Sequence, residues 1–379
     1  MNILLAPDSF KDCLSATEVC RYLDHGIRRI YPHAEIKSIP VADGGEGFVS
    51  AMLTALGGTE ITCPVRDPLG RKIHASYGIL GDKQTAVIEM AAASGIELLK
   101  PDERNPLVTS TFGTGLLMRD AIERGCRKLI IGIGGSATND GGTGMAKALG
   151  YRFLDHNGEE IDSGGGNLNQ LAHIDHSSVF PLLKETEIRT ACDVTNPLTG
   201  KHGAAAVYGP QKGAPPEMVA ILDQNLEHLA QIIQRDLQVD VLKLVGGGAA
   251  GGLGAGLVAF SDARLQAGFD IVKEQTGLEK AVQQADIILT GEGKMDHQTK
   301  EGKTPWGVAQ LALKHSKPCI GVAGSLGEGY DELYEEGFTA LFALPNGPLS
   351  LHESLAQAPQ LLADTVEQIF RIIRMTQRG

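Results

Sequence analysis

Residues 128–149 read KLIIGIGGSATNDGGTGMAKAL, and this stretch indicates the kind of fold that the chain adopts. The apolar run from Lys128 to Ile133 predicts a buried strand, and the residues from Gly144 to Leu149 predict the start of a helix. Glycines between them let backbone amides converge at the helix N-terminus, which suits an anion. The alternative is a tight strand-to-helix turn that needs glycine only for its positive φ.

The same order of apolar run, polar turn and helical pattern recurs along the chain. Ser15-Ala-Thr-Glu18 is a capping box, after which apolar residues follow at helical spacing, and the final helix is predicted around Leu361 to Arg374. Strand and helix in alternation predict a mostly parallel sheet covered on both faces. The apolar runs lie at residues 3–6, 36–41, 128–133, 286–290, 318–323 and 340–344.

Two stretches break this alternation. Residues 64–110 suggest a hairpin around Leu80, and residues 151–258 contain an Asn-Gly turn, a strand and a helix around Met218–Asp236. We therefore expect an α/β fold with a discontinuous, Rossmann-like, mostly parallel domain and a second α/β domain inserted into it. The first domain is predicted to comprise 1–63, 111–150 and 259–379, and the second 64–110 and 151–258.

Composition excludes several classes of protein. Glycine makes up 48 of 379 residues without a collagen period, and 42% apolar residues are too many for a disordered chain. A net charge of −12 argues against nucleic-acid binding. No apolar stretch is long enough to span a membrane, the N-terminus resembles a first strand rather than a signal peptide, and the six cysteines show no metal-ligand spacing. We expect a cytoplasmic protein.

Polar turns follow six of the predicted strands. Ligands of open α/β sheets bind outside the carboxyl ends of strands, so a common cleft lined by several of these turns is expected. The turns are Ala6-Pro-Asp8-Ser9-Phe-Lys11, Ala42-Asp43-Gly-Gly-Glu46-Gly47, Gly132–Gly142, Cys192-Asp193-Val-Thr195-Asn196-Pro, Thr290-Gly-Glu292-Gly-Lys-Met-Asp296 and Ala323-Gly-Ser325-Leu-Gly327.

Familiar nucleotide motifs are incomplete in this sequence. A Walker loop fails because His297 stands in place of its first glycine, although Lys303 in the Gly-Lys-Thr triplet remains a candidate phosphate contact. The serine-hydrolase elbow lacks its first glycine. Gly132-x-Gly134-x-x-Ala137 fits the relaxed dinucleotide fingerprint, and Asp155 lies where a ribose-binding acid would stand, which leaves a nicotinamide-dependent oxidoreductase as an alternative.

Glu292 and Asp296 are four residues apart, so they would share a face if that turn is helical. Together with Asp193 they are candidate ligands for Mg²⁺, which takes one or two carboxylates plus substrate phosphates. The alternative for each is a solvated loop. Seven glycines between Gly246 and Gly256 indicate close packing at a helix start, a hinge between domains or a direct ligand contact.

At these residues the sequence resembles the bacterial glycerate kinases of type 1, the glycerate 2-kinase-like group that begins with an A-P-D-S-[FY]-K strand end. The resemblance extends in register from residue 4 past 340. The matching stretches are Ala6–Lys11 with Leu14-Ser15-Ala16, Pro40–Gly47, Ile133–Gly142, Cys192–Leu198, Thr290–Thr299 and Gly302–Pro305.

This resemblance implies ATP-dependent phosphorylation of D-glycerate to 2-phosphoglycerate with Mg²⁺ in a two-domain α/β protein. Its partners are then the small molecules ATP and glycerate, with no nucleic acid and no membrane, and a homo-oligomer is left open. Phosphoryl transfer depends on positioning and charge neutralisation, so closure of the two domains around the substrates is expected. A non-catalytic sensor of small anions is a further alternative.

Hypothetical roles follow for the residues of the matching motifs. Asp193 would accept the hydroxyl proton of glycerate, Lys11 would neutralise charge, and Glu292 and Asp296 would help to hold Mg²⁺. Substrate binding is assigned to Asp8, Ser9, Asp43 and Asn196. ATP phosphate binding is assigned to Gly134, Gly135, Ser136, Thr138, Asn139, Asp140, Gly141 and Lys303.

Overall fold

The computed structural model of the chain describes residues 1–376. Its architecture is mixed α/β, as the alternating pattern predicts. The strands are β1 (Asn2–Leu5), β2 (Glu35–Ser38), β3 (Gly58–Arg66), β4 (Lys72–Leu80), β5 (Thr85–Glu89), β6 (Lys128–Gly132), β7 (Arg152–Leu154), β8 (His173–Asp175), β9 (Glu187–Ala191), β10 (Arg264–Gln266), β11 (Ile287–Met295), β12 (Cys319–Leu326) and β13 (Ala340–Ala343).

Helices alternate with most of these strands. They are α1 (Ala16–Arg28), α2 (Phe48–Leu56), α3 (Ala91–Ser94), α4 (Phe112–Glu123), α5 (Thr143–Ala148), α6 (Ala204–Tyr208), α7 (Pro216–Leu237), α8 (Ala249–Ser261), α9 (Gly268–Thr276), α10 (Leu278–Gln284), α11 (Thr304–Lys314) and α12 (Leu351–Thr376). Short 3₁₀ segments include Pro210–Lys212 and His297–Glu301. In residues 1–376 we find no helix that is both long and apolar enough to cross a membrane.

The chain divides into two compact units. The first unit contains Met1–Asp43, Ser50–Gly57 and the described residues from Phe269 onward. Its sheet has the strand order β13-β12-β11-β1-β2, and every pair is parallel. The chain passes from β1 to β2 on one side and from β11 to β12 on the other, so the strand order reverses between β1 and β11.

The second unit contains Gly44–Val49 and Gly58–Gly268. Its sheet has the order β10-β9-β6-β5-β4-β3, in which the first four strands are parallel and the last two antiparallel. The antiparallel pairing of β4 with β5 is the hairpin expected around Leu80. A two-stranded sheet joins β7 to β8.

Residues 111–150 lie in the second unit, whereas the sequence-based division placed them in the first. The reason is long-range pairing: Ile130 of β6 is in register with Val87 of β5 and with Arg189 of β9. The unit boundaries also fall after residues 43, 49, 57 and 268 rather than at the expected positions. The first unit is discontinuous in sequence.

Two helices of the first unit illustrate how the sequence specifies its elements. The Ser15 hydroxyl accepts from the Glu18 amide at 3.3 Å, and the Glu18 carboxylate accepts from the Ser15 amide at 3.0 Å, so the expected capping box is present. Helix α12 begins ten residues before the expected Leu361, because the sequence before it continues at helical spacing through Pro359. Buried apolar residues of α1 and α12 form one cluster with β1 and β11.

Candidate functional site

In the first unit, the carboxyl ends of β1, β2 and β11 carry charged side chains to one edge of the sheet. The Asp8 amide donates to the Gly291 carbonyl at 2.8 Å, which continues the ladder between β1 and β11. Asp43 follows β2, and Glu292 lies on β11. This edge is the point at which the strand order reverses, where open α/β sheets bind ligands.

The Asp8 carboxylate is the most perturbed acid at this edge. Its Oδ1 atom accepts from the Ser9 amide at 2.6 Å. Burial raises the pKa of Asp8 to about 7, and the negative charges of Asp43 and Glu292 add to the rise, against hydrogen bonds from Ser9 and Thr304. The carboxylate therefore changes charge near neutral pH, and positive charge placed beside it would be stabilising.

Glu292 is held by a lysine and a threonine from the segment that follows β11. Lys303 Nζ lies 3.1 Å from Glu292 Oε2, and Thr299 Oγ1 donates to Oε1 at 2.9 Å. Burial raises the pKa of Glu292 despite the opposing charge of Lys303. Lys303 is the residue before α11, so this ammonium stands at a helix N-terminus, next to the threonine that contacts Asp8.

Glu292 and Asp296 would share a face only if the turn that contains them were helical. Glu292 is instead part of strand β11, so the two side chains do not share a helix face. Asp296 Oδ2 lies 2.8 Å from Lys294 Nζ, and Asp296 Oδ1 accepts from the Gln298 amide at 3.0 Å. The pKa of Asp296 is lowered, first by the hydrogen bond from Lys294. Both Asp296 oxygens are thus occupied, as both Glu292 oxygens are, so either carboxylate would exchange one of these bonds on binding magnesium.

Magnesium would find few prepared protein ligands here. Within residues 1–376, we see no group of three or more His, Cys, Asp or Glu side chains arranged around a metal position. A magnesium ion that enters with substrate phosphates needs only one or two carboxylates. Glu292 and Asp296 are the carboxylates of the sequence-based expectation for this role, and each now makes bonds to neighbouring side chains or backbone.

Lys11 and Ser9 continue the same loop after β1. The Lys11 side chain is exposed, and Ser9 is partly buried. The backbone amide of Lys11 packs against Gly293 of β11, where a Cβ atom would lie 3.4 Å from it. The loop therefore follows β11 closely while leaving the lysine side chain in solvent.

In the second unit, the turn after β6 contains a buried carboxylate, that of Asp140. Asp140 is fully buried, and its Oδ2 atom accepts from the Thr111 amide at 2.8 Å, from the Thr111 hydroxyl at 2.9 Å and from the Gly144 amide at 3.1 Å. Its Oδ1 atom accepts from the Gly142 amide at 3.1 Å. Asp140 therefore fixes the turn and the start of α5, and no face of this carboxylate is left for the expected phosphate contact.

Only the first part of this turn faces solvent. Gly134 and Gly135 are exposed, and Ser136 is 8% exposed, whereas Thr138 and Asn139 are fully buried. The Thr138 hydroxyl and both polar atoms of the Asn139 side chain find no hydrogen-bond partner among the described residues. Backbone and hydroxyl groups from Gly134 to Ser136 are therefore the part of this turn that a ligand can reach.

The glycine-rich segment after residue 245 explains the rigidity of the turn. Ala250, Gly251 and Gly252 are left-handed within α8, and the Gly141 amide donates to the Gly251 carbonyl at 3.1 Å. A Cβ atom on Gly251 would lie 1.9 Å from the Thr138 carbonyl oxygen. Of the three expectations for this segment, the contacts agree with close packing at a helix start.

Lys212 is a site residue that no pattern in the sequence indicates. It is 1% exposed, and its Nζ atom donates to Ser136 Oγ and to the Thr138 carbonyl, both at 2.7 Å. Burial lowers the pKa of Lys212 to about 7, and the charge of Asp140 opposes that change. No motif surrounds Lys212, and it is separated from Ser136 by 76 residues, so only the tertiary structure reveals it.

Asp193 and Asn196 follow β9 in the second unit. Asp193 is exposed, and its Oδ1 atom accepts from the Gly268 amide at 3.0 Å, which holds the carboxylate in place. The Asn196 side chain is engaged by the protein, since Tyr208 donates to its Oδ1 at 2.7 Å and its Nδ2 donates to the His202 carbonyl at 2.8 Å. Asn196 therefore connects this loop to α6.

Asp155 does not extend the dinucleotide fingerprint. Its Oδ1 atom accepts from the amides of Asn157 and Glu159 at 2.8 and 2.9 Å, so the carboxylate closes an Asn-Gly turn beside β7. The strand that follows the glycine turn pairs only with β8 in a separate small sheet. This is not the βαβ context that a dinucleotide site requires.

Charged and glycine-rich turns at the ends of parallel strands define the class of α/β proteins that bind small anionic ligands. Comparison with known proteins narrows this class. The model of the glycerate kinase family matches residues 3–374, and the chain belongs to that family.

Similar proteins cover the chain almost completely. It is 50% identical to the glycerate 2-kinase of Escherichia coli over 94% of each chain, and 49% identical to the glycerate kinase of Halalkalibacterium halodurans over 97% of each. A crystal structure assigned as a glycerate kinase 2 from Salmonella typhimurium LT2 superimposes with a TM-score of 0.91 at 47% identity, covering 100% of both chains. Fold and family agree with the expectations from sequence.

Proposed function

We propose that the protein transfers the γ-phosphoryl group of ATP to the 2-hydroxyl of D-glycerate, giving 2-phosphoglycerate and ADP. Near-complete similarity to glycerate kinases at about 50% identity carries this proposal. The two charged turn regions described above supply what phosphoryl transfer needs, which is positioning and charge neutralisation. A cytoplasmic location is part of the proposal and is supported by the absence of disulfides among the six cysteines, all of which are described and free.

Residues of the first unit are proposed to bind glycerate. Ser9 and the backbone beside it would hydrogen-bond the substrate, with Asp8 and Asp43 orienting its hydroxyl groups. Lys11 is exposed at the same strand end and would neutralise the substrate carboxylate or the transferring charge. An anionic substrate beside Asp8 favours the protonated form of that carboxyl, which its pKa of about 7 makes accessible near neutral pH.

Residues of the second unit are proposed to bind ATP phosphates through the exposed part of the glycine turn. Gly134 and Gly135 present backbone there, and Ser136 adds a hydroxyl group. Thr138, Asn139, Asp140 and Gly141 would support the turn from inside, since their side chains or backbone are buried. Lys303 of the first unit remains a candidate phosphate contact because it precedes helix α11.

Asp193 is proposed as the proton acceptor for the glycerate hydroxyl. It is exposed, follows a parallel strand at its carboxyl end, and is fixed by the Gly268 amide at 3.0 Å. Mg²⁺ is proposed to accompany the nucleotide, with Glu292 and Asp296 as its candidate protein ligands. When bound, this ion supplies positive charge against the phosphate oxygens.

The activity is tested by measuring ADP release with ATP and a panel of small hydroxy acids. Glycerate-dependent release supports the kinase, and phosphorus NMR of the product distinguishes the 2-phosphate from the 3-phosphate. Failure of every acid to release ADP would reject the kinase. The same panel with NAD, followed by absorbance of the reduced cofactor, tests the oxidoreductase alternative, and binding of the acids without turnover would indicate a sensor.

The role of Asp193 is tested with Asp193→Asn. We expect turnover to fall by about 10²–10⁴-fold, the usual contribution of a positioned general base, while ATP affinity is retained. Asp240→Asn is a matched control, because Asp240 is a surface acid of the same unit paired with Lys243 at 2.9 Å. Near-normal turnover of Asp193→Asn would reject the assignment.

A further inference from the structure

We propose that Lys212 is a positioning residue that orients the Ser136 hydroxyl as a hydrogen-bond donor toward an ATP phosphate. The inference rests on the proposed function of the glycine turn. Lys212 lies outside every motif of the chain, and it would act on the phosphate only through the Ser136 hydroxyl group.

The direction of the hydrogen bond carries the argument. A lysine ammonium has three donors and no acceptor, whereas a serine hydroxyl has one donor and two acceptor lone pairs. Because Lys212 Nζ lies 2.7 Å from Ser136 Oγ, the ammonium donates and the serine oxygen accepts. The serine proton must then point away from Lys212, so the hydroxyl is left as a donor for another group.

The second hydrogen bond of Lys212 fixes the position from which it acts. Nζ also donates to the Thr138 carbonyl at 2.7 Å, so one ammonium joins two points of the turn that are two residues apart. Ser136 is 8% exposed and directly follows the exposed Gly134 and Gly135. Its hydroxyl therefore lies at the border between the buried and the accessible parts of the turn.

Burying an ammonium is costly, and Lys212 is 1% exposed. Asp140 is the acid whose charge reaches it, but no ion pair joins the two within residues 1–376, because both Asp140 oxygens accept from the turn and from Thr111. An apolar side chain of similar length would fill the same space without this cost. The lysine is therefore better explained by what it donates than by stability.

Protonation of Lys212 provides a signature of this role. Burial lowers its pKa to about 7, and the charge of Asp140 opposes that change. Above that pH the neutral amine becomes an acceptor, and the Ser136 hydroxyl can turn toward it. Phosphate binding through Ser136 should then weaken as the pH rises from about 6.5 to about 8.5.

The test is a double-mutant cycle with Lys212→Met and Ser136→Ala, read as KM for ATP, KM for glycerate and kcat. Each single variant should raise KM for ATP about tenfold, the size expected for one hydrogen bond to a charged group, and should leave KM for glycerate unchanged. The double variant should be no more than about twofold worse than either, because both changes remove the same interaction.

Two results separate the possible failures. If Ser136→Ala leaves KM for ATP unchanged, the proposed phosphate contact of the turn is rejected. If both single variants act and their effects multiply to about 100-fold, the turn contact stands and the role of Lys212 through Ser136 is rejected. Lys147→Met is the control. Lys147 is a partly buried lysine of the same unit, and its Nζ atom lies 2.5 Å from the Ile161 carbonyl. Its loss should leave KM for ATP unchanged.

If Lys212→Met does not fold, the pH profile still decides. KM for ATP of the wild-type protein should rise with pH across the window above, and Ser136→Ala should flatten that rise. An equal rise in both proteins would overturn the inference, because the titrating group would then act without the serine.

Discussion

Asp8 provides a prediction about the pH dependence of stability. Its pKa of about 7 in the folded protein, raised by burial and by Asp43 and Glu292, lies well above that of an aspartate in an unfolded chain. Between about pH 4 and 7 the folded state keeps a proton that the unfolded state has released. The contribution of Asp8 to stability is therefore favourable at low pH and is lost as the pH rises through about 7.

The magnitude follows from this difference in proton binding. One proton held by the folded state changes the free energy of unfolding by about 1.4 kcal/mol per pH unit. From about pH 5 to about pH 7, wild type should lose roughly 2–3 kcal/mol relative to Asp8→Asn, which does not titrate. The variant keeps an Oδ1 acceptor for the Ser9 amide, so the hydrogen bond of 2.6 Å is preserved.

Urea unfolding followed by Trp306 fluorescence measures this effect in the first unit, which contains both Asp8 and Trp306. Trp306 is the single tryptophan of the chain and lies in α11, which begins with the Thr304 that contacts Asp8. Unfolding curves of wild type and Asp8→Asn are compared at about pH 5 and about pH 8, and the slopes are checked for a two-state transition.

Asp12→Asn is the matched control, because Asp12 lies in the same loop, is exposed and has a positive φ that asparagine tolerates. It should leave the pH dependence of wild type unchanged. A difference in unfolding free energy between wild type and Asp8→Asn that is the same at both pH values would refute the reasoning. It would mean that Asp8 is already ionised in the folded protein at about pH 5.

Three further predictions concern stability. Gly251→Ala should lower the free energy of unfolding by more than about 3 kcal/mol, because its Cβ would lie 1.9 Å from a backbone oxygen. Gly277→Ala is the control, since Gly277 also has a positive φ but faces open space, and it should cost about 1 kcal/mol. Equal costs of the two substitutions would contradict this prediction. Asp140→Asn should cost roughly 2–4 kcal/mol, since its amide would face backbone donors; unchanged urea unfolding would disprove it. Ser15→Ala should lower thermal stability by about 1 kcal/mol through loss of the cap on Glu18, and an unchanged melting temperature would exclude a stabilising cap.

Local patterns predicted much of the fold. Each of the six apolar runs overlaps a strand, and the capping box at Ser15 is formed as expected, because both depend on residues close in sequence. Local patterns do not predict which of the two large sheets contains β6. Its partners β5 and β9 lie on both sides of it in sequence, and nothing local distinguishes their apolar faces from those of the other sheet.

The candidate site shows the same limit. Strand ends brought Asp8, Asp43 and Glu292 to one edge, as the position of polar turns predicts. Side-chain direction was not predictable: Asp140 turns inward to its own helix, although it belongs to the same motif as the exposed Gly134 and Gly135. Lys212 lies far from that motif in sequence, so composition and spacing contain no trace of its contact.

The sheet order of the first unit also determines when that unit can form during synthesis. Strand β1 pairs with β2 and β11, and the Thr290 hydroxyl donates to the Ala6 carbonyl across 284 residues of sequence. At translation speeds of about 5–20 residues per second, that separation corresponds to roughly 15–60 s. During this interval β1 and α1 lack the central partner strand of their sheet.

The second unit has no such delay, because all its residues precede Phe269. We expect it to fold on the ribosome first, while the N-terminal strand and helix keep their apolar faces exposed. A ribosome that stalls before β11 would therefore hold a nascent chain with one folded unit and an apolar N-terminal segment available to chaperones.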